Sequence, residues 1–139
     1  MTEQEIQKCI VSYLAAKGWG SNIETKKLSE KGCDIVLRND RYGRYFFIEC
    51  KGDPKETTKN KHSSREVAFV YSLGQIITRI DNPKAGYYYG LGLPEKTAKI
   101  AMRRISRYLA LHLKLHIFSV RENGVVKEYK PGKVGIKRN

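Results

Sequence analysis

The chain has 139 residues, with 27 Lys plus Arg against 14 Asp plus Glu, a formal charge of +13 and an isoelectric point near 9.8. That length suits one domain (1–139), able to bury about two thirds of the surface its unfolded form exposes without a disulfide or a structural metal. No run approaches the ~20 apolar residues of a membrane span, and the first residues are acidic and polar rather than basic then apolar, so a soluble, unexported, cytoplasmic protein is expected.

The excess of positive charge points to a polyanionic partner. Nucleic acid is the expected one, because each neutralised phosphate releases condensed counterions. A membrane surface is not expected, since no basic amphipathic helix carries exposed Trp, Phe or Leu on its other side. Cys9, Cys33 and Cys50 are odd in number, form no C-x-x-C pair and stand where small apolar residues would serve, which reads as reduced thiols.

In chain order, residues 2–17 predict a helix. Thr2 and Glu5 form a capping box, and Ile6, Cys9, Ile10, Tyr13 and Leu14 make an apolar stripe that ends at Gly18. An edge strand is expected over 20–28, then a turn at 29–32, a short strand over 33–37, a hairpin loop at 39–43 and an aromatic, β-branched strand over 44–51. Residues 53–62 are polar, carry Lys55, Lys59 and Lys61, and predict a mobile loop.

A second capping box, Ser63 with Glu66, is expected to open a helix with the stripe Phe69, Val70, Leu73, Ile76, Ile77 and Ile80, stopped at Asn82-Pro83. A strand follows over 87–91. Pro94 then predicts a helix to about Leu109, with Ala98, Ala101, Met102, Ile105 and Leu109 inward. The alternation of Leu111, Leu113, Leu115 and Ile117 predicts a strand, turned at Asn123-Gly124 into a partner over 125–129. The basic tail from Lys130 (131–139) is expected to fray. The whole predicts a mixed α/β sheet with helices on its faces.

The chemistry concentrates at one strand end. Alternation puts Glu49 and Lys51 on one face and Cys50 on the other, and Asp34 on the preceding strand would approach Glu49 if the two strands pair antiparallel. Two carboxylates and a main-chain carbonyl, that of Cys50, form a hard oxygen set that suits Mg²⁺, with Mn²⁺ as a substitute. Phosphodiester cleavage needs such a cation to neutralise charge and orient water. Lys51 could lower that water's pKa or stabilise the pentavalent phosphate.

Glu-x-Lys alone carries little information, since 24–26 and 128–130 match too. Only Glu49-Cys50-Lys51 ends an apolar strand, precedes a Gly and has an Asp-bearing strand one hairpin upstream. A solvated salt bridge at a strand end is the bland alternative.

Gly32-Cys33-Asp34-Ile35-Val36-Leu37 followed by Phe47-Ile48-Glu49-Cys50-Lys51-Gly52 resembles the PD-(D/E)XK nuclease superfamily, which includes restriction endonucleases and Holliday junction resolvases. In element order the resemblance covers about residues 3–93. It implies a restriction endonuclease-like α-β-β-β-α-β core, with residues 94–130 as an elaboration. It also implies Asp34 and Glu49 as metal ligands, Lys51 as the catalytic lysine, and metal-dependent endonuclease activity on DNA.

Cys33 stands where the superfamily's name has Pro. Resolvase-like members carry a first-helix Glu where this chain has Gln7; Glu3, one turn earlier, is the better acidic candidate, and Glu5 is engaged in the capping box. Gln75 resembles a second-helix glutamine that related nucleases place beside the site, although it projects opposite the apolar stripe with Ser72 and Arg79.

Lys96, Lys99, Arg103 and Arg107 recur at helical spacing as one basic ridge, suited to a phosphate backbone or to a plain solvated face. His112 and His116 would pair on zinc only in a helix, and the leucine alternation argues for strand. Tyr87-Tyr88-Tyr89 suits sheet packing better than base stacking. The rivals to a DNA nuclease are a non-catalytic nucleic-acid-binding module on the same scaffold and an RNA-directed nuclease. A homodimer is compatible with cutting two antiparallel strands.

Overall fold

A computed structural model describes residues 1–20, 33–39, 41–80 and 85–135 of the protein. In chain order these form α1 (Glu3–Ala15), β1 (Ile35–Asn39), β2 (Arg44–Cys50), α2 (Lys61–Arg79), β3 (Tyr87–Pro94), α3 (Glu95–Arg104), α4 (Arg107–Leu113), β4 (Leu115–Val120) and β5 (Val126–Tyr129), followed by a short 3₁₀ turn at Pro131–Lys133.

The strands lie in one mixed sheet, ordered β1-β2-β3-β4-β5. The outer pairs are antiparallel and the two inner pairs, β2/β3 and β3/β4, are parallel. Parallel neighbours need a crossover, which α2 supplies once and α3 with α4 supply again. Because β4 pairs in the middle of the sheet, residues 94–130 continue it rather than cap it. Of the expected edge strand at 20–28 only Gly20 is described; its amide donates to Arg38 O at 2.8 Å, and the rest lies outside the described residues.

Side-chain alternation divides the core into two layers. On one face α1 packs Ile6, Ile10 and Leu14 against Ile35, Leu37, Phe46, Ile48, Cys50 and Phe118. Gly92 makes this approach possible, since a Cβ there would run into Ile10 Cδ1 of α1 and also crowd Cys50 Sγ at 2.8 Å. On the other face α2, α3 and α4 cover Val36, Tyr89, Leu91, Leu93, Leu115 and Ile117. Among the described residues no helix is long and apolar enough to cross a membrane, and Cys9, Cys33 and Cys50 are free thiols.

The capping box of Thr2 and Glu5 is present at α1, and Asn123 and Gly124 (φ 87°) turn the last hairpin. Several expectations need correction. The cap of α2 is Asn60, whose side chain accepts from the Ser63 amide, so the helix starts at Lys61 and the polar loop is shorter. Glu66 instead meets His62 and Arg104.

The buried face of α2 is Phe69, Ser72 and Ile76, while Val70 and Ile77 are exposed. Ser72 can be buried because its hydroxyl donates to Phe69 O within its own turn, leaving no unpaired polar group. The expected helix 94–109 is two helices. Ile105 is extended, and the Ser106 hydroxyl accepts from the Leu109 amide to start α4.

Residues 111–113 are therefore helical and the strand begins at Leu115. A four-residue alternation of leucines fits either period, and the αL residue Lys114 (φ 51°) separates the two elements. The segment expected to fray is docked as far as it is described, with Val134 fully buried.

Candidate active site

The site is built at the C-terminal end of β2. Lys51 N donates to Gly92 O, so residue 51 turns its peptide groups toward β3. Cys50 therefore turns its N–H and C=O toward the β1 side. There, just before the first residue of β1, the Asp34 carboxylate takes the place of a strand backbone: its Oδ2 accepts the Cys50 amide at 2.8 Å. The same bond brings Asp34 beside Glu49, and the Cys50 carbonyl faces the side that Asp34 occupies.

Glu49 is 6 % exposed. Burial first, then repulsion from and hydrogen bonding to the Asp34 carboxyl, push its pKa up to about 8 against the pull of Arg79. Its Oε1 is buried without a hydrogen-bond partner. Arg79 Nε stands 3.8 Å away, close enough for ion pairing and too far for a hydrogen bond, and is itself unpaired. Two carboxyl groups forced together in a dry strand end are costly to leave ionised without a cation.

Glu3 completes the acidic rim from α1. Its pKa is raised by burial and by Asp34, and Lys51 opposes the shift, so Glu3 shares the field of the site. What brings it there is Gly52, where a Cβ would stand 2.6 Å from Glu3 N. The Asp53 amide donates to Met1 O at 2.8 Å, and the Met1 amino group donates to Asp53 Oδ2 at 2.7 Å, clamping the start of α1 onto the strand end. Gln7 lies on α1, and Glu5 is bound into its cap.

Lys51 is half-buried and places Nζ 4.4 Å from the centroid of the Tyr71 ring. Gln75 reaches the site through Arg79, whose Nη2 donates to Gln75 Oε1 at 3.0 Å. Tyr71, Gln75 and Arg79 are four residues apart in turn, so they form one ladder along α2 that faces Lys51 and Glu49. The face of α2 that projects opposite the apolar stripe, left open from sequence between site and plain surface, thus borders Lys51 and Glu49. Sequence reasoning missed Tyr71 and Arg79; their spacing from Gln75 was the available signal.

The remaining candidates disperse. Lys55 and Lys61 line a cavity of about 880 Å³ at the ends of β2, β3 and β4, and Lys61 pairs with Glu56 at 3.7 Å. Lys59 is exposed just before α2. The basic ridge is broken: Lys96 borders the same cavity, Lys99 and Arg103 line another, and Arg107 opens α4. His112 is helical and His116 is on β4, buried against Glu128, so the pair cannot share a zinc ion. Tyr87 and Tyr89 pack with Phe47 in the sheet.

Among the described residues no three His, Cys, Asp or Glu side chains stand close enough together to hold a metal ion. A two-carboxylate pair with an unpartnered oxygen is nevertheless a donor set that fits Mg²⁺, which keeps several waters and binds through one or two carboxylates. No family model, curated protein or solved structure matches the chain.

Proposed function

We propose that this protein is a Mg²⁺-dependent nuclease that hydrolyses phosphodiester bonds of DNA, on a restriction endonuclease-like core of the PD-(D/E)XK type. One observation carries the reading: Asp34 and Glu49 are held together at a buried strand end, with Lys51 following at the same end and one Glu49 oxygen unpaired. An unpartnered buried carboxylate oxygen is costly, and a bound cation would satisfy it.

Asp34, Glu49 and the Cys50 carbonyl would hold the cation, with Glu3 at the rim through water. The cation, when bound, supplies charge neutralisation at the phosphate and a lowered pKa for the attacking water. Lys51 directs its ammonium toward the charge that develops on the phosphoryl oxygens. Tyr71 restricts the ammonium to one side, and the buried position of Glu49 lets its charge act at short range.

The test is incubation of supercoiled, linear and branched DNA with Mg²⁺ or Mn²⁺, beside Mn²⁺ binding measured by electron paramagnetic resonance. Removing a group that stabilises transition-state charge costs about 10²–10³ in rate, so Glu49→Ala and Lys51→Ala should each lose at least that much. Glu49→Ala should also lose Mn²⁺ binding. Unchanged cleavage by both variants would sink the reading. Matched RNA competitors separate an RNA-directed nuclease from a DNA-directed one.

A second reading, a non-catalytic nucleic-acid-binding module, is favoured by Gln7 in place of a first-helix acid and by the lack of a three-carboxylate cluster among the described residues. Salt-sensitive DNA binding with neither metal dependence nor cleavage of any substrate would establish it instead.

A further inference from the structure

A second surface lies on the same face of the sheet as Glu49, toward the β4–β5 edge. There a groove of about 760 Å³ runs between α3 and the β4–β5 hairpin. Lys99 and Arg103, one turn apart on α3, form one wall. Arg121 and Lys127 form the other, with Ser119 and the half-buried Tyr129 ring between them. Lys127 stands over that ring, with Nζ 5.0 Å from its centroid.

Charge balance sets this groove apart. The larger cavity at the strand ends is lined by five Lys or Arg and five Asp or Glu side chains, so its field largely cancels. The α3 groove has four basic side chains and one acidic. The one acid, Glu95, is committed to Arg121 at 2.9 Å, a bond that ties the base of the hairpin to the start of α3 and closes one end of the groove. Glu95 is also the helical neighbour that Lys99 would otherwise use. Among the described residues Lys99 and Arg103 therefore have no carboxylate within ion-pair distance, and both are exposed.

Unneutralised cations on two facing walls are a poor arrangement for an isolated protein and a good one for a phosphate backbone threaded between them. We propose that this groove, lined by Lys99, Arg103 and Lys127, grips the phosphodiester backbone of DNA by charge, without reading bases. The identity of the polyanion rests on the nuclease reading, because the groove would hold DNA that the Glu49 site cuts. Its four cations come from α3 and from the hairpin, so only the folded chain assembles them.

The experiment uses the full chain carrying Glu49→Ala, in EDTA, so that neither cleavage nor metal enters. Binding to a labelled duplex is followed by fluorescence anisotropy across a salt series. The groove variant is Lys99→Gln/Arg103→Gln/Lys127→Gln; Arg121 is spared because it holds Glu95. The control removes three exposed cations elsewhere: Lys8→Gln/Arg41→Gln/Lys130→Gln. All six side chains are exposed, and circular dichroism verifies folding.

Each phosphate contact contributes about 0.9 to the slope of log K against log salt, so the groove variant should lose about 2 to 3 from that slope and bind about 10- to 100-fold more weakly near physiological salt. The control should lose much less. Equal losses in the two variants, or retention by heparin without measurable duplex binding, overturn the proposal. If wild type cuts no DNA yet the groove variant alone loses its grip, the groove stands and cleavage falls. If wild type cuts and both variants bind alike, cleavage stands and the groove falls.

Discussion

Two glutamates, Glu49 and Glu128, are equally removed from solvent, each with a side chain 8 % exposed, and they are treated in opposite ways. Glu128 is surrounded by partners: His116 Nδ1 at 2.9 Å, the Tyr13 hydroxyl, which donates at 3.2 Å, and Lys17 Nζ at 3.6 Å. Burial pushes its pKa up, but the hydrogen bond and charge of His116, then Lys17 and Tyr13, hold it below the ordinary 4.5. Glu49 faces another carboxyl and an arginine just out of hydrogen-bonding range, its own Oε1 has no partner, and its pKa is raised to about 8. The first carboxylate joins α1 to the β5 edge and is a structural device. The second is costly to bury, and it is the one on which the proposed site rests.

The largest expected effect comes from breaking the satisfied carboxylate. Glu128→Ala leaves His116 buried without its partner and should lower stability by about 3 kcal/mol in urea or thermal unfolding. A loss below about 1 kcal/mol would mean that the network is ornamental. Because its folded pKa is lowered, Glu128 contributes stability above pH 4.5 that disappears as pH falls below it. Glu128→Gln should therefore flatten the acid limb of the stability curve.

Glu49→Gln should do the reverse and stabilise the metal-free protein, by about 1 kcal/mol at neutral pH. Its folded pKa is raised, so the folded chain keeps a proton that the unfolded chain releases, and stability falls as pH climbs from 4.5 to about 8. The variant should lack that decline in thermal unfolding followed in EDTA. A variant less stable than wild type throughout this range would show that the unpaired oxygen has a structural partner.

The smallest effect is at Tyr71, where a cation–π contact of about 0.5–1 kcal/mol holds Lys51 at a half-exposed position. In the proposed nuclease, Tyr71→Phe should cut DNA like wild type, and Tyr71→Leu a few-fold more slowly. Equal rates in all three proteins would remove Tyr71 from the site.

Much of this could be read without coordinates, because local rules acted alone. The capping box at Thr2, the turn at Asn123-Gly124 and the β1–β2 hairpin depend on neighbours a few residues apart, and they formed as expected. That Asp34 comes near Glu49 was legible because one hairpin joins the two segments; that it does so from just before β1, with its carboxylate accepting the Cys50 amide rather than by strand alternation, was not. The rotation of α2 was not legible. Counting apolar side chains turned Val70 and Ile77 inward, but α2 buries Phe69, Ser72 and Ile76 instead: Ser72 satisfies its hydroxyl on Phe69 O within the helix, and Arg79, held by Gln75, stands 3.8 Å from Glu49.

By itself, then, the sequence determined the order of most helices and strands and which carboxylates stand near Lys51 in the chain, but not the break at Ile105 or the helix over 111–113. Those outcomes follow from backbone hydrogen bonding and side-chain periodicity over short stretches. Only the tertiary structure decided that α2 is the wall of the site, that Gly52 admits Glu3 to its rim, and that Lys99 and Arg103 face Lys127 across a groove. The reason is physical: these placements minimise the cost of buried charge and close packing among residues far apart in the chain, and no local pattern encodes such a balance.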